Sequence, residues 1–267
     1  MPISAPMVDT HCHLNFDAYD QDLTQVLDEA RHQQVTRFLI PAVDLETSRS
    51  GLRLAEQHTG VSAAIGVHPN STATFGESLL NELRALSAHP CVVGIGEIGL
   101  DYYWDKSPKQ AQWAAFEAQL RLAAELALPV IIHNRDAHED TIAILERWVV
   151  DLPPALRGHA GVMHSFSAPT PIAERALACG FFIGFSGPIT FKKADELRRV
   201  AASVPPERLL VETDAPYLTP EPRRGQRNSP AYIPHIVERL ASVHRLDDDE
   251  MARQTTLNAE RLFRLPT

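Results

Sequence analysis

The sequence predicts an α/β protein, a (β/α)8 TIM barrel, and three observations carry that expectation. Short runs rich in β-branched residues alternate with longer amphipathic segments along the whole chain. Eight such runs can be distinguished, and they are nearly continuously apolar, as parallel strands buried on both faces are. No run leads into a Gly-x-Gly-x-x-Gly turn or a phosphate-binding P-loop, so nothing favours an open, doubly wound sheet over a closed one.

The first strand is expected at Met7–Thr10 and its helix at Asp22–Gln33, where apolar residues recur at helical spacing. The second unit pairs Arg37–Pro41 with Leu45–Gln57, and the third Ser62–Val67 with Leu79–Ser87. In the fourth, Val92–Gly96 precedes Pro108–Glu125; in the fifth, Val130–Ile132 precedes Thr141–Val149. Gly161–Met163 with Pro171–Ala178 makes the sixth, and Phe182–Phe185 with Ala194–Ala202 the seventh. The eighth strand, Leu209–Val211, is followed by two helical segments, Ile233–Val243 and Asp248–Phe263. No repeat of constant length, low-complexity tract or linker interrupts the series, so residues 1–267 are expected to form one domain.

Composition narrows the class further. The chain is 44% hydrophobic and 22% charged, ordinary for a globular protein, and 267 residues suffice for one barrel. Its start has neither a basic region nor a long apolar run, and no apolar stretch reaches the roughly 20 residues that span a bilayer, so neither signal peptide nor membrane partner is expected. Cys12, Cys91 and Cys179 are scattered and odd in number, which fits a reducing cytoplasm. A net charge of −9 excludes a basic protein that coats nucleic acid non-specifically. It leaves room for an enzyme that meets phosphates through metal ions and a few local arginines. Oligomeric state is not legible.

The chemistry gathers behind the strands. His11 and His13 follow the first, His68 the third, Glu97 the fourth, His133 the fifth, His164 the sixth and Asp214 the eighth. In a barrel these carboxyl-terminal ends converge on one mouth, so residues two hundred positions apart become neighbours. The remaining histidines (32, 58, 89, 138, 159, 235 and 244) fall in helices or loops and read as surface or capping residues. Each candidate also has a plain structural reading. His68 before proline reads equally as a turn cap, Glu97 as a buried acid paired with arginine, and Asp214 as a helix N-cap. His133 and His164, taken singly, read as satisfied core histidines. Six independent structural explanations at one end of one barrel are less economical than a metal centre.

His11, His13, His133 and His164 with Glu97 and Asp214 make more ligands than one open catalytic site uses. A bridging Glu97 would hold two divalent ions about 3.5–4 Å apart. Mixed imidazole and carboxylate donors suit zinc, manganese or cobalt, with magnesium where waters complete the shell.

The chain resembles the TatD family of metal-dependent hydrolases, within the amidohydrolase-like barrels. The motifs that carry the resemblance are Val8-Asp9-Thr10-His11-Cys12-His13, Gly66-Val67-His68-Pro69, Gly96-Glu97-Ile98-Gly99-Leu100-Asp101-Tyr102, Pro129-Val130-Ile131-Ile132-His133, His164-Ser165-Phe166-Ser167, Glu212-Thr213-Asp214-Ala215-Pro216-Tyr217-Leu218 and Arg227-Asn228. The resemblance implies one metal on His11, His13, Glu97 and Asp214, and a second sharing Glu97 with His133 and His164. It also implies a cytoplasmic deoxyribonuclease, often an exonuclease. Two positions depart from the family pattern: Ala168 stands where glycine is usual, and Ser229 where the family has glutamate.

The mechanism expected is two-metal phosphodiester hydrolysis of DNA, single-stranded or accessible at an end. Asp214 would ligate metal and accept the water's proton, Glu97 would bridge, and His68 would hydrogen-bond the phosphate or leaving group. Arg135 and Arg227 are candidate phosphate contacts, and Phe166 and Tyr102 candidate base-stacking groups. Two other readings remain open: a hydrolase of another ester, such as D-aminoacyl-tRNA, and a non-catalytic binding protein with a vestigial site.

Overall fold

The computed structural model describes residues 2–265; Met1, Pro266 and Thr267, which open and close the expected 1–267 span, lie outside the described residues. Eight strands lie in sequence order in one parallel sheet: β1 (Met7–Asp9), β2 (Val35–Pro41), β3 (Val61–Ile65), β4 (Val92–Asp101), β5 (Val130–Arg135), β6 (Gly161–Met163), β7 (Phe181–Phe185) and β8 (Leu209–Val211). Each is followed by its helix: α1 (Leu23–His32), α2 (Leu45–Gln57), α3 (Glu77–Leu86), α4 (Lys109–Leu126), α5 (His138–Trp148), α6 (Thr170–Ala178), α7 (Asp195–Ser203) and α8 (Ile233–His244). A ninth, α9 (Asp248–Phe263), ends the described chain. The expected (β/α)8 barrel is what the chain forms. Among the described residues no helix is long and apolar enough to cross a membrane.

The seam between β8 and β1 is closed by single bonds rather than a regular ladder. Thr10 donates its N–H to Val211 O at 3.2 Å, Asp214 donates to His11 O at 2.8 Å, and His13 donates to Ala215 O at 2.8 Å. Asp9, fully buried, reinforces the seam from the side. Its Oδ1 accepts from the N–H of Thr213 at 3.0 Å and of His11 at 3.2 Å, and its Oδ2 lies 2.5 Å from Thr213 Oγ1.

Two apolar clusters follow from strand alternation. Val8, Leu39, Ala64, Val93, Ile131, Val162, Phe182 and Leu210, one from each strand, fill the barrel interior with Leu262 and Phe263 of α9 beneath them. The second and larger cluster lies between strands and helices. The interior layer predicts the layer above it, because side chains two residues on share a face. His133 lies two residues beyond Ile131, His164 two beyond Val162 and Glu212 two beyond Leu210. Glycine makes room for them: a Cβ on Gly184 would lie 2.8 Å from the Glu212 carboxylate.

Glu97 reaches the mouth by a local irregularity. The sequence expectation ends β4 at Gly96, but the strand runs on to Asp101, so Glu97 sits within it. Between Ile95 and Ile98 the strand spends three steps where β5 spends two, from Val130 to Ile132. A bulge of this kind re-aims a side chain. The expected end of β5 moves likewise, from Ile132 to Arg135, which places His133 on the strand.

Candidate metal centre

Four histidines, His11, His13, His133 and His164, converge on the carboxylates of Glu97 and Asp214, the six coming from five strands and their following loops. His11 Nε2 lies 3.2 Å from His13 Nε2, 3.5 Å from Glu97 Oε2 and 3.7 Å from Asp214 Oδ1. His13 Nε2 is 3.5 Å from Asp214 Oδ1 and 4.0 Å from Glu97 Oε2. His164 Nε2 is 3.8 Å from both Glu97 Oε1 and Asp214 Oδ1. On the other side of Glu97, His133 Nδ1 lies 2.7 Å from Oε1. Packing holds the rings: His11 stacks on His164 with centroids 3.4 Å apart, and His13 on Phe16 at 4.5 Å. The Nδ1 atoms of His11 and His13 are buried without hydrogen-bond partners.

This donor set fits divalent cations. Two imidazole nitrogens 3.2 Å apart, with carboxylate oxygens within 4 Å, form a crowd of electron pairs that a proton or cation must relieve. Ligand atoms lie within 4.8 Å of one another in three groups: His11, His13 and Glu97; His11, His164 and Asp214; and His68, Glu97 and His133. Glu97 belongs to the first and third, so its two oxygens face different groups.

Hydrogen bonds discriminate between His68 and His164. His68 Nδ1 accepts the backbone N–H of Asn70 at 3.0 Å, capping the short turn at Pro69–Thr74, so the ring proton belongs on Nε2. The turn-cap and site readings of His68 therefore both hold, and its Nε2 is a donor. Burial, helped by the nearby His133 charge, lowers its pKa to about 3, so the ring stays neutral. His164 is arranged the other way. Its Nδ1 lies 2.9 Å from Glu212 Oε1, close although the N–H is not squarely aimed, which leaves Nε2 as the nitrogen that would face a cation once its proton is shed.

The carboxylates are held ionised. Burial opposes this at Glu97, but the His11 charge and hydrogen bonds from His11 and His133 outweigh it and keep the carboxyl well below its ordinary value. Asp214 is lowered likewise: burial raises it, while the hydrogen bond from His13 and the His164 charge prevail. His133 bonds Glu97 through Nδ1 and Asp101 Oδ2 through Nε2 at 2.9 Å. Burial alone would lower it; the two carboxylates raise it to about 9. His164 is raised to about 10, Glu212 outweighing burial. Asp214 caps no helix. It adopts a left-handed conformation (φ 56°), which aspartate tolerates.

Asp101, Glu212 and Asn228 have no assigned role in the sequence reading. Asp101 orients His133 and Glu212 orients His164, while Asn228, buried, donates Nδ2 to Thr213 O at 2.8 Å and to Tyr217 O at 2.5 Å, tying down the loop behind Asp214. For Glu212 the available signal was its place two residues from interior Leu210 and two from Asp214.

The four side chains expected at the substrate sit differently from one another. Arg135 is exposed, its guanidinium 3.9 Å from the Tyr103 ring centroid. Arg227 turns both arms of its fork to Asp22, at 3.0 and 2.6 Å, and donates also to Ala18 O. Phe166 is 4% exposed and packs in the core, so it offers no face to a base. Tyr102 is half-buried, its hydroxyl donating to Asp140 at 2.7 Å and its ring covered by Lys109 at 3.7 Å. Of the remaining histidines His32 is exposed and the other six are partly buried, with His244 Nε2 bonded to Ala201 O.

Fold and site together define an α/β barrel with a histidine–carboxylate metal-type centre at the carboxyl ends of its strands. The model of the family described as TatD related DNase matches residues 8–264, and this chain belongs to that family. A Bacillus subtilis protein named uncharacterized metal-dependent hydrolase YabD is 41% identical, covering 97% of this chain and 99% of its own. The 3'-5' ssDNA/RNA exonuclease TatD of Erwinia tasmaniensis is 40% identical over 97% of this chain and 100% of its own. The crystal structure of YJJV, a TatD homolog from Escherichia coli K12, superposes with a TM-score of 0.90 at 33% identity, covering 97% of this chain and 98% of that one.

Proposed function

We propose that this chain is a metal-dependent hydrolase that cleaves phosphodiester bonds of DNA, working as an exonuclease on single strands or accessible ends in the cytoplasm. The observation that carries the reading is the convergence of His11, His13, His133 and His164 on Glu97 and Asp214. The name of one relative, 3'-5' ssDNA/RNA exonuclease, supports a nucleic-acid substrate. Three cysteines without a disulfide fit the compartment.

One cation would be held by His11, His13, Glu97 and Asp214, the other by Glu97, His133 and His164. When bound, such cations make water nucleophilic at neutral pH and offset charge developing on phosphate oxygens. Asp214, ionised and at the edge of the centre, accepts the proton of the attacking water. Neutral His68 donates Nε2–H to a phosphate oxygen or the leaving group. Arg135, without a carboxylate partner among the described residues, is a free cation at the rim; Arg227, engaged by Asp22, holds the loop that carries Asn228.

The test is hydrolysis of an end-labelled oligonucleotide by protein supplied with zinc, manganese, cobalt or magnesium. Wild type should shorten the strand from one end, and Asp214→Asn should slow it by ~10²–10⁴-fold, as loss of a general base does. An intact strand under every metal, with D-aminoacyl-tRNA hydrolysed alongside, would move the chain to the other ester.

A further inference from the structure

Among the described residues five large apolar side chains stand exposed, and three of them sit just past strands that deliver site residues. Tyr103 (54% exposed) and Trp104 (47%) follow Asp101, and Tyr217 (55%) follows Asp214. Scattered exposed aromatics need no explanation, but these follow the carboxyl ends of strands, which places them on the side of the barrel mouth. Tyr103 and Trp104 also form a built surface. Their rings meet edge to face at 4.8 Å and 87°, and the Arg135 guanidinium lies 3.9 Å from the centroid of the first and 5.8 Å from that of the second. Lys106 Nζ is 5.6 Å from the Trp104 ring. Arg135 has no carboxylate partner among the described residues.

The surface is rigidly joined to the centre. Asp101 Oδ1 accepts the backbone N–H groups of Tyr103 and Trp104 at 3.0 and 3.1 Å, while its Oδ2 faces His133 Nε2 at 2.9 Å. Tyr102 donates its N–H to Arg135 O at 2.9 Å, which ties the start of the loop to the end of β5. One carboxylate thus positions both a candidate ligand and a pair of exposed rings.

We propose that Tyr103, Trp104 and Arg135 form a platform on which bases of a single-stranded nucleic acid stack beside the scissile phosphate. This rests on the nuclease reading above. Aromatic rings accept every base by its face, and an adjacent guanidinium meets the backbone, so the platform holds a strand without reading its sequence. It also resolves how an acidic protein retains a polyanion away from its metals: by stacking, with few cations.

The experiment measures equilibrium binding of a short oligothymidylate, and of an abasic strand of equal length, to the full-length protein kept from turnover by a chelator. Trp104 is the one exposed tryptophan; Trp113 and Trp148 are half-buried, their indole N–H groups bonded to Tyr102 Oη and Leu120 O. Bound bases should quench its fluorescence. Trp104→Ala should abolish that quenching and weaken oligothymidylate binding roughly 5- to 150-fold, the range for one lost base stack, with the abasic strand unaffected. Trp104→Phe should recover most of the affinity. Equal affinity of wild type and Trp104→Ala for oligothymidylate, or no binding by wild type, overturns the platform. A strand that binds through Trp104 but stays uncut after metal is restored refutes the nuclease reading and leaves the platform standing. Cleavage that Trp104→Ala leaves unchanged in KM and kcat does the reverse.

Discussion

His133 and His68 show how single hydrogen bonds sort chemically identical side chains into different roles. His68 gives its Nδ1 lone pair to Asn70 and is left as a neutral donor; His133, between Glu97 and Asp101, holds two protons. A ligand must shed its proton, so cation uptake should release protons. The sign follows from the raised values of about 9 for His133 and about 10 for His164. In protein stripped of cations, their protonation stabilises the fold fully below about pH 6.5, and that contribution is lost as pH rises through the folded values. Cation affinity should therefore climb with pH across the same window. Calorimetric titration at pH 7.5 in buffers of different ionisation enthalpy should show net proton release. Buffer-independent heats would mean that neither ring is protonated before binding.

At the scale of elements, the seam between β8 and β1 depends on a few polar contacts rather than a ladder, and Asp9 supplies two of them, to Thr213, besides holding the N–H of His11 on its own side. Asp9→Ala leaves three buried polar groups without their partner, and each unsatisfied group costs roughly 1–3 kcal/mol. Asp9→Asn keeps one acceptor oxygen and offers a donor to Thr213 Oγ1, so its loss should be under half as large. Denaturant unfolding of both variants checks this; equal losses would show that charge, not hydrogen bonding, holds the seam. The same region shows what the sequence could reveal. The limits of α2 and α9 and the order of all eight strands were legible, because apolar period and turn chemistry are local. The length of β4 was not. The expected strand stops at Gly96, whereas the glycines beyond and within it permit close approach: Gly99 has φ +145° and a Cβ there would lie 1.9 Å from His133 O. Burial of Phe166 and capture of Arg227 by Asp22 were equally hidden, since each depends on contacts remote in sequence.

Across the whole molecule, a net charge of −9 opposes a polyanionic substrate, so attraction must be concentrated at the mouth. The proposed two-cation centre is what makes the rest of the account coherent: it gives the crowded imidazoles a purpose, suits two carboxylates that the histidines already hold ionised, and would offset that charge where substrate must arrive. In that proposal Glu97 would bridge, since one oxygen faces His11 and His13 and the other faces His133. The most direct test is elemental analysis of dialysed wild type and Glu97→Gln after loading with the same divalent cation. Two ions per chain in wild type, and loss of both together in the variant, is the result this account predicts. Undiminished metal in Glu97→Gln, or a wild type that retains none, would contradict it.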